Sequence, residues 1–395
     1  MLVKSIRNIR RSFSSLLEGN WDLTPDQQAI QETARKFALQ ELAPYVNEWD
    51  EKKHFPKDVV KKSAELGFAG LYCSSEYGGC GLSRLDTSLV FEALSTGCIG
   101  ITTYITVHNM CCWVIDTFGS KDQKEAWLPA MFNFDKFASY CLTEPHSGSD
   151  AAALSTKAEL QGDYYVINGS KMFITGGEQS NIYLVMCKTG HKEISCIAVE
   201  KGTPGLGFGK PESKLGWHSH PTQMVTFDNV KVPKSNMIGE PGVGFKIALM
   251  ALEGGRVNIA SVSLGGAWFA LERALDYMHS RTQFGSKLSD FQYLRFKMSE
   301  AFTQLTASRL LVRHSAKLLD EKNSEKIAIS SMAKLFATDN CFEVANLALQ
   351  MHGGYGVIKE YGVERVVRDL RFMQIVEGTN EIMRMVIARE ALKEK

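Results

Sequence analysis

Residues 350–389 read QMHGGYGVIKEYGVERVVRDLRFMQIVEGTNEIMRMVIAR, and the rest of the chain is organised around them. A glycine-rich turn at Gly353, Gly354 and Gly356 precedes a lone carboxylate, Glu377, set after Met373, Ile375 and Val376 and before Gly378 and Thr379. A helical pattern follows, with Ile382, Met385, Val386 and Leu392 on one side, so Glu377 sits just ahead of a helix. A carboxylate between Val and Gly at such a junction can be partly desolvated, which raises its pKa and suits a general base, while Gly378 lets a ligand approach the backbone closely. The alternative reading is an acid that caps the helix and interacts with its dipole.

The 395 residues, 44% of them hydrophobic, suffice for two or three domains with a large core. Their 45 basic and 44 acidic residues nearly cancel, which argues against the broad basic footprint of a nucleic-acid-binding protein. Nine cysteines, Cys73, Cys80, Cys98, Cys111, Cys112, Cys141, Cys187, Cys196 and Cys341, form no CxxC pair and have mostly apolar neighbours. They are expected to be buried, reduced thiols. His218 and His220 have no cysteine or carboxylate cluster beside them in the sequence, so no structural metal is expected.

The first twenty residues, MLVKSIRNIRRSFSSLLEGN, carry Lys4, Arg7, Arg10 and Arg11 and four serines, with no acid before Glu18. Ile6, Ile9, Phe13 and Leu16 or Leu17 share one helical face. This is the composition of a mitochondrial transit peptide, expected over residues 1–20, the other reading being a basic surface helix. No apolar run is expected to reach membrane-spanning length.

From Thr24, a candidate N-cap followed by Pro25, helical spacing predicts an all-helical unit over residues 22–137. At residue 138 the pattern changes to short β-type runs. YYVINGSKMFIT (164–175) is a hairpin candidate around Asn168 and Gly169, and IYLVMCK (182–188), SCIAVEK (195–201) and QMVTFDNVKVP (223–233) complete a small antiparallel β domain over 138–240. Long helical periods return over 241–395 and predict a bundle. The expected fold is mainly α with a β insert: N-terminal helical domain, central small antiparallel β domain, C-terminal helical bundle.

Three more stretches can carry chemistry. YCLTEPHSGSDAAA (140–153) packs Thr143, Ser147, Gly148 and Ser149 into a turn able to hold a pyrophosphate or the edge of a heteroaromatic ring, or merely to cap neighbouring elements. ALEGGRVNIA (251–260) sets Gly254 and Gly255 inside a helix beside Arg256, at a cost of about 1 kcal/mol each; a ligand channel and a helix kink both account for them. RTQFGSKLSDFQ (281–292) reads as a helix-breaking loop whose Arg281, Phe284 and Gln292 can pair and stack with a nucleotide.

Together these pieces resemble the acyl-CoA dehydrogenase family over residues 22–395. CLTEPHSGSD (141–150) looks like the family's first signature and QMHGGYGVIKEYGVERVVRD (350–369) like its second. The resemblance implies FAD held between the β domain and the C-terminal bundle, in a homotetramer. By position, Tyr140, Leu142, Thr143 and Ser149 match the flavin-contacting turn, and Phe173, Ile174 and Thr175 match the strand along the isoalloxazine. Arg281, Phe284, Phe291, Gln292, Gln350 and Gly354 match residues that reach FAD from a neighbouring subunit, and Thr379, Asn380 and Glu381 match further flavin contacts. For acyl-CoA the matches are Ser149, Glu253, Gly254, Gly255, Arg256, Gly378 and Arg389. His146 stands where glycine is common, and Phe173 where tryptophan is common.

The implied reaction is α,β-dehydrogenation. Glu377 would remove the α proton, and electrons would pass through FAD to electron-transferring flavoprotein in the mitochondrial matrix. Some relatives place the base beside the arginine; that position here is Gly255, which leaves Glu377 as the candidate. The stretches at 82–97, 108–119, 136–145, 200–210 and 331–339 are similar to members acting on a short branched acyl-CoA, and the expected substrate is isobutyryl-CoA of valine breakdown. Val376 replaces a common tyrosine, which would leave room for an α-methyl branch. An acyl-CoA oxidase and a non-catalytic, flavin-stabilised assembly factor are the alternatives.

Overall fold

The side chain of Thr24 accepts from the Gln27 amide while the Gln27 side chain accepts from the Thr24 amide, a capping box that starts the first long helix where the sequence predicts it. The computed structural model describes residues 14–191 and 193–393. Its N-terminal unit comprises α1 (Ser14–Glu18), α2 (Pro25–Phe37), α3 (Val46–Lys52), α4 (Lys57–Ser63), α5 (Arg84–Ser95), α6 (Ile99–Phe118) and α7 (Lys121–Phe132). Ser83 and Ser120 cap α5 and α7.

The middle unit is a sheet of β1 (Ala138–Cys141), β2 (Lys157–Gln161), β3 (Tyr164–Thr175), β4 (Ile182–Lys188), β5 (Ile194–Glu200), β6 (Leu206–Phe208), β7 (Thr222–Pro233) and β8 (Met237–Ile238), in the order β6-β7-β3-β2-β4-β5-β8. It is mixed, not antiparallel throughout: β1 runs parallel to β4, Ala138 opposite Ile182. The β2–β3 hairpin lies within the long connection that a parallel pair needs. Asn168–Gly169 is not a hairpin turn. β3 passes straight through it, pairing with both β2 and β7, and the register shifts between Ile167 and Gly169. Gly169 sits at this irregularity, where a Cβ would lie 2.6 Å from Thr156 Oγ1, so the position requires glycine.

The C-terminal unit contains α8 (Gly244–Ser280), β9 (Thr282–Gln283), β10 (Ser286–Lys287), α9 (Gln292–Asp320), α10 (Lys326–His352), α11 (Val363–Met373) and α12 (Asn380–Ala391). The expected loop at 281–292 opens with a small hairpin whose turn residues, Phe284 and Gly285, both have positive φ. Contrary to expectation, α8 is long and apolar enough by length and composition to cross a membrane; 72% of its apolar window is buried in this fold. Eight of the nine cysteines are buried and all are free, and Cys80 is exposed.

One apolar cluster runs from Ala34 and Phe91 through Val257 and Trp268 to Val344 and Leu370, so the two helical units share a core. A second joins α6 and α7 to β1, β4, β5 and the start of α8, and a third lies on the sheet. The N-terminal half of α8 thus stands where helices meet sheet.

The described fold also reaches back beyond the expected boundary at residue 22. Leu17 is buried in the shared core, and Arg309 donates to the Leu17 carbonyl at 2.7 Å. Arg313 donates to the Gly19 carbonyl and to Asp22 Oδ1. Both arginines face Glu92, which Arg309 contacts at 2.6 Å. Of the expected leader, residues 1–13 lie outside the described residues. Glu92→Ala leaves two buried guanidinium groups short of their carboxylate and should destabilise the protein by about 3–5 kcal/mol. The midpoint of thermal unfolding at fixed protein and flavin concentration checks this; an unchanged midpoint would show that the cluster contributes little.

Candidate active site

α11 ends at Met373, and α12 is capped by Thr379, whose hydroxyl accepts from the Ile382 amide at 3.2 Å. The helix cap is therefore Thr379, which leaves Glu377 free of that role. Glu377 has φ +56° and Gly378 φ +90°. Left-handed backbone costs a residue such as Glu about 1–3 kcal/mol and persists only where the surroundings over-determine it. Here Lys334, buried on α10, donates to the Gly378 carbonyl at 2.8 Å and to Asn380 Oδ1 at 2.7 Å. Asn380 in turn donates to Thr338 and Asp339.

The carboxylate of Glu377 lies against α8. A Cβ on Gly255 would fall 2.3 Å from Glu377 Oε2, so only glycine permits this seat. α8 runs unbroken through both glycines. At Gly254 a Cβ would meet Arg84 Nη2 at 2.1 Å; that guanidinium stacks 3.8 Å over the Tyr72 ring and donates to Asn258. Each glycine thus admits one foreign side chain to the helix surface. Glu377 is half-buried as a residue, yet its Oε2 is enclosed and has no hydrogen-bond partner. Burial pushes the carboxyl up to about 7, against the pull of Arg256 and then Lys334. Arg256 is itself buried, donates to Ser331 Oγ at 3.2 Å and leaves its Nε unpartnered.

Tyr140 faces the same region from β1. Its hydroxyl is buried without a partner, and burial first, then Cys196 and the Glu377 carboxylate, push its pKa up. Orphaned polar atoms on three neighbouring side chains are rare in a finished interior and mark a place where a bound group supplies the missing partners. Beside Tyr140, the Leu142 carbonyl accepts from Lys171 and the Thr143 carbonyl from the Met172 amide. Burial opposes ionisation of Glu144, but Lys171 at 2.7 Å and the Ser155 and Thr156 amides hold it down at about 2. Phe173, at φ +59° beside a second register shift, is 61% exposed, an available stacking surface. Ile174 is buried beneath it, the Thr175 carbonyl accepts from Ser139, and Ser149 is exposed in its turn. These features fit a planar aromatic cofactor.

The structure does not bring every expected residue to this place. Arg281, Gln350 and Gly354 line a separate cavity of about 590 Å³ with Tyr277 and Tyr355. Phe284, 95% exposed, meets Phe291 edge-on. Arg281 follows the end of α8, whose span from Arg256 is about 36 Å at the helical rise. Gln292 begins α9 and is exposed. Four others stay nearer: Glu253 pairs with Lys326 at 3.4 Å and, like the exposed Arg389, acts on the charge of Arg256; Glu381, exposed on α12, acts on Lys334; Val376 packs against the shared core. Lys334 and Arg84 escaped the sequence reading. A lone base within the apolar SMAKLFATD pattern was the available signal for Lys334.

Family profiles described as acyl-CoA dehydrogenase N-terminal, middle and C-terminal domains match residues 24–135, 139–230 and 242–392. The chain belongs to the acyl-CoA dehydrogenase family. Proteins of this family bind FAD and act on acyl-CoA, and the chain is accordingly an oxidoreductase of CH–CH bonds. It is 52% identical over 388 residues to "Isobutyryl-CoA dehydrogenase, mitochondrial" of Bos taurus, covering 98% of this chain and 93% of that protein. It is 48% identical over 390 residues to the protein of the same name from Dictyostelium discoideum, covering 98% and 94%. A solved glutaryl-CoA dehydrogenase from Mycobacterium smegmatis in complex with FADH2 superposes with a TM-score of 0.91 at 28% identity, covering 94% of this chain and 96% of that one.

Gly255→Ala should displace the Glu377 carboxylate while leaving the fold and bound flavin in place. A shift of about 1 Å in such a group costs on the order of 100-fold in rate, to be read from anaerobic, single-turnover flavin reduction. A rate near wild type would show that the carboxylate works from a different seat.

Proposed function

We propose that the protein oxidises isobutyryl-CoA to methacrylyl-CoA in valine catabolism, with Glu377 as the base. Relatives named isobutyryl-CoA dehydrogenase support the substrate, and the seat of Glu377 carries its role: a carboxylate with an enclosed, unpartnered Oε2, pushed up to about 7, is pressed against a helix surface that glycine keeps bare. In its ionised form, Oε2 takes the α proton of the thioester. Arg256 and Lys334 favour that form electrostatically. Among the described residues the Glu377 amide donates to no backbone acceptor, so it is available to the thioester oxygen as negative charge develops there. FAD, when bound, supplies the acceptor for the β hydride. Tyr140, Leu142, Thr143, Ser149, Phe173, Ile174, Thr175 and Thr379 would hold it, and electrons would leave to electron-transferring flavoprotein. Ser149, Glu253, Arg256, Gly378 and Arg389 would contact acyl-CoA.

The second cluster, remote from Glu377, supports a homotetramer in which Arg281, Phe284, Phe291, Gln292, Gln350 and Gly354 reach a neighbouring subunit's FAD. Named mitochondrial relatives and the acid-free N-terminus support import into the matrix. The hold of Arg309 and Arg313 on residues 17–22 supports leader removal upstream of Leu16, ahead of the expected position near Trp21. N-terminal sequencing of the matrix protein tests this; a first residue beyond Leu16 would overturn it.

Val376 is the selectivity element. Filling one methyl-sized site is worth about 1–3 kcal/mol, so kcat/KM should favour isobutyryl-CoA over butyryl-CoA by roughly tenfold to a few hundredfold. Val376→Tyr should penalise isobutyryl-CoA and spare butyryl-CoA. Anaerobic bleaching of the flavin with both substrates checks the pair. An outright preference of the wild type for butyryl-CoA would refute the isobutyryl assignment.

A further inference from the structure

Lys334 is completely buried, and a buried ammonium carries a large desolvation cost unless something in its surroundings compensates. Its two hydrogen bonds go to neutral oxygens, the Gly378 carbonyl and Asn380 Oδ1. Among the described residues it forms no direct ion pair within 4 Å. A neutral donor such as glutamine could serve those two acceptors, so the charge itself needs another explanation. The charged groups that face it are Glu377 on the loop, Asp339 on its own helix, Arg256 on α8 and Glu381 on α12, and among these Glu377 interacts most strongly.

We infer that Lys334 is the positioning residue of the active site: it clamps the left-handed Glu377–Gly378 turn through the Gly378 carbonyl and, when protonated, supplies positive charge behind the Glu377 carboxylate. The inference rests on Glu377 being the base. The two tasks are mechanically linked. The carbonyl it grips belongs to the residue after Glu377, so loss of the grip frees the backbone that aims Oε2 past Gly255. Loss of the charge removes one of the two cations opposing the desolvation of that carboxylate. Burial drives the pKa of Lys334 down to about 7, with Glu377, Asp339 and Glu381 acting against the fall and Arg256 adding to it, so ionisation of Glu377 and retention of the Lys334 proton support each other.

The test separates clamp from charge in the flavin-loaded holoenzyme. Lys334→Met removes both. The limiting rate of anaerobic flavin reduction should fall about 10- to 100-fold, and the acidic limb of the kcat/KM profile should move up by about one pH unit, with KM little changed. Lys334→Gln keeps a donor for the Gly378 carbonyl and should recover part of the rate but not the limb; Lys334→Arg should recover the limb. If the limbs of the Met and Gln variants coincide with wild type, and rates fall only in proportion to flavin content, Lys334 is structural and the inference is overturned. If Lys334→Met does not fold, Lys334→Gln alone decides by the position of its limb. Glu377→Gln distinguishes the two levels: near-normal flavin reduction in that variant would overturn the reading of Glu377 as base, whatever Lys334 does.

Discussion

The space that a Cβ at Gly255 would occupy holds the Glu377 carboxylate, and this single close approach constrains much of the molecule. A helix that gives up a side chain at its working face gains no packing there. α8 compensates elsewhere: it is flanked by α5, α6, α9, α10 and α11, and from Arg256 to Trp268 it is buried without interruption. A glycine pair in an exposed helix would fray it. In a helix enclosed on every other side, the same pair becomes a rigid, smooth wall.

The opposite wall is built on the same logic. Phe173 and Glu377, one on a strand and one on a helix-linking turn, both adopt left-handed backbone, and each adjoins a turn pinned by a buried lysine. Lys171 fixes the 142–144 turn through Leu142 and Glu144; Lys334 fixes the 378–380 turn through Gly378 and Asn380. Local strain concentrates where atoms must be aimed at a ligand, and buried ammonium groups stabilise it.

How much was legible in the sequence follows from which interactions are local. Thr24–Pro25, the helical periods, and the polar–glycine signatures act over a few residues, and the three-part architecture and the place of Glu377 just ahead of a helix could be read from them. Asn168–Gly169 misled because a dipeptide that favours a hairpin turn also suits a bulge, and Thr156, which leaves no room for a Cβ at Gly169, lies twelve residues upstream of Asn168. The sheet's parallel pair depends on where β1 docks, which no local pattern encodes. Lys334 was hidden because its partners lie 44 and 46 residues downstream. The apolar stretch of α8 escaped because Asn258, Ser261 and Ser263 interrupt it by eye, although the segment as a whole is sufficiently apolar.

The grip of α9 on the N-terminal segment also sets an order of events. Arg309 and Arg313 contact backbone carbonyls 292 to 294 residues earlier in the chain, so these are among the most distant closures in the fold. Such contacts form only after long stretches of chain are already ordered. A polypeptide that emerges or is threaded amino-end first therefore presents residues 16–22 long before their partners on α9 exist. During that interval the segment is open to any protease or chaperone that reads extended chain; once α9 packs, its carbonyls are sealed beneath two guanidinium groups. The segment's exposure thus ends only with the arrival of a helix that lies three-quarters of the way along the chain.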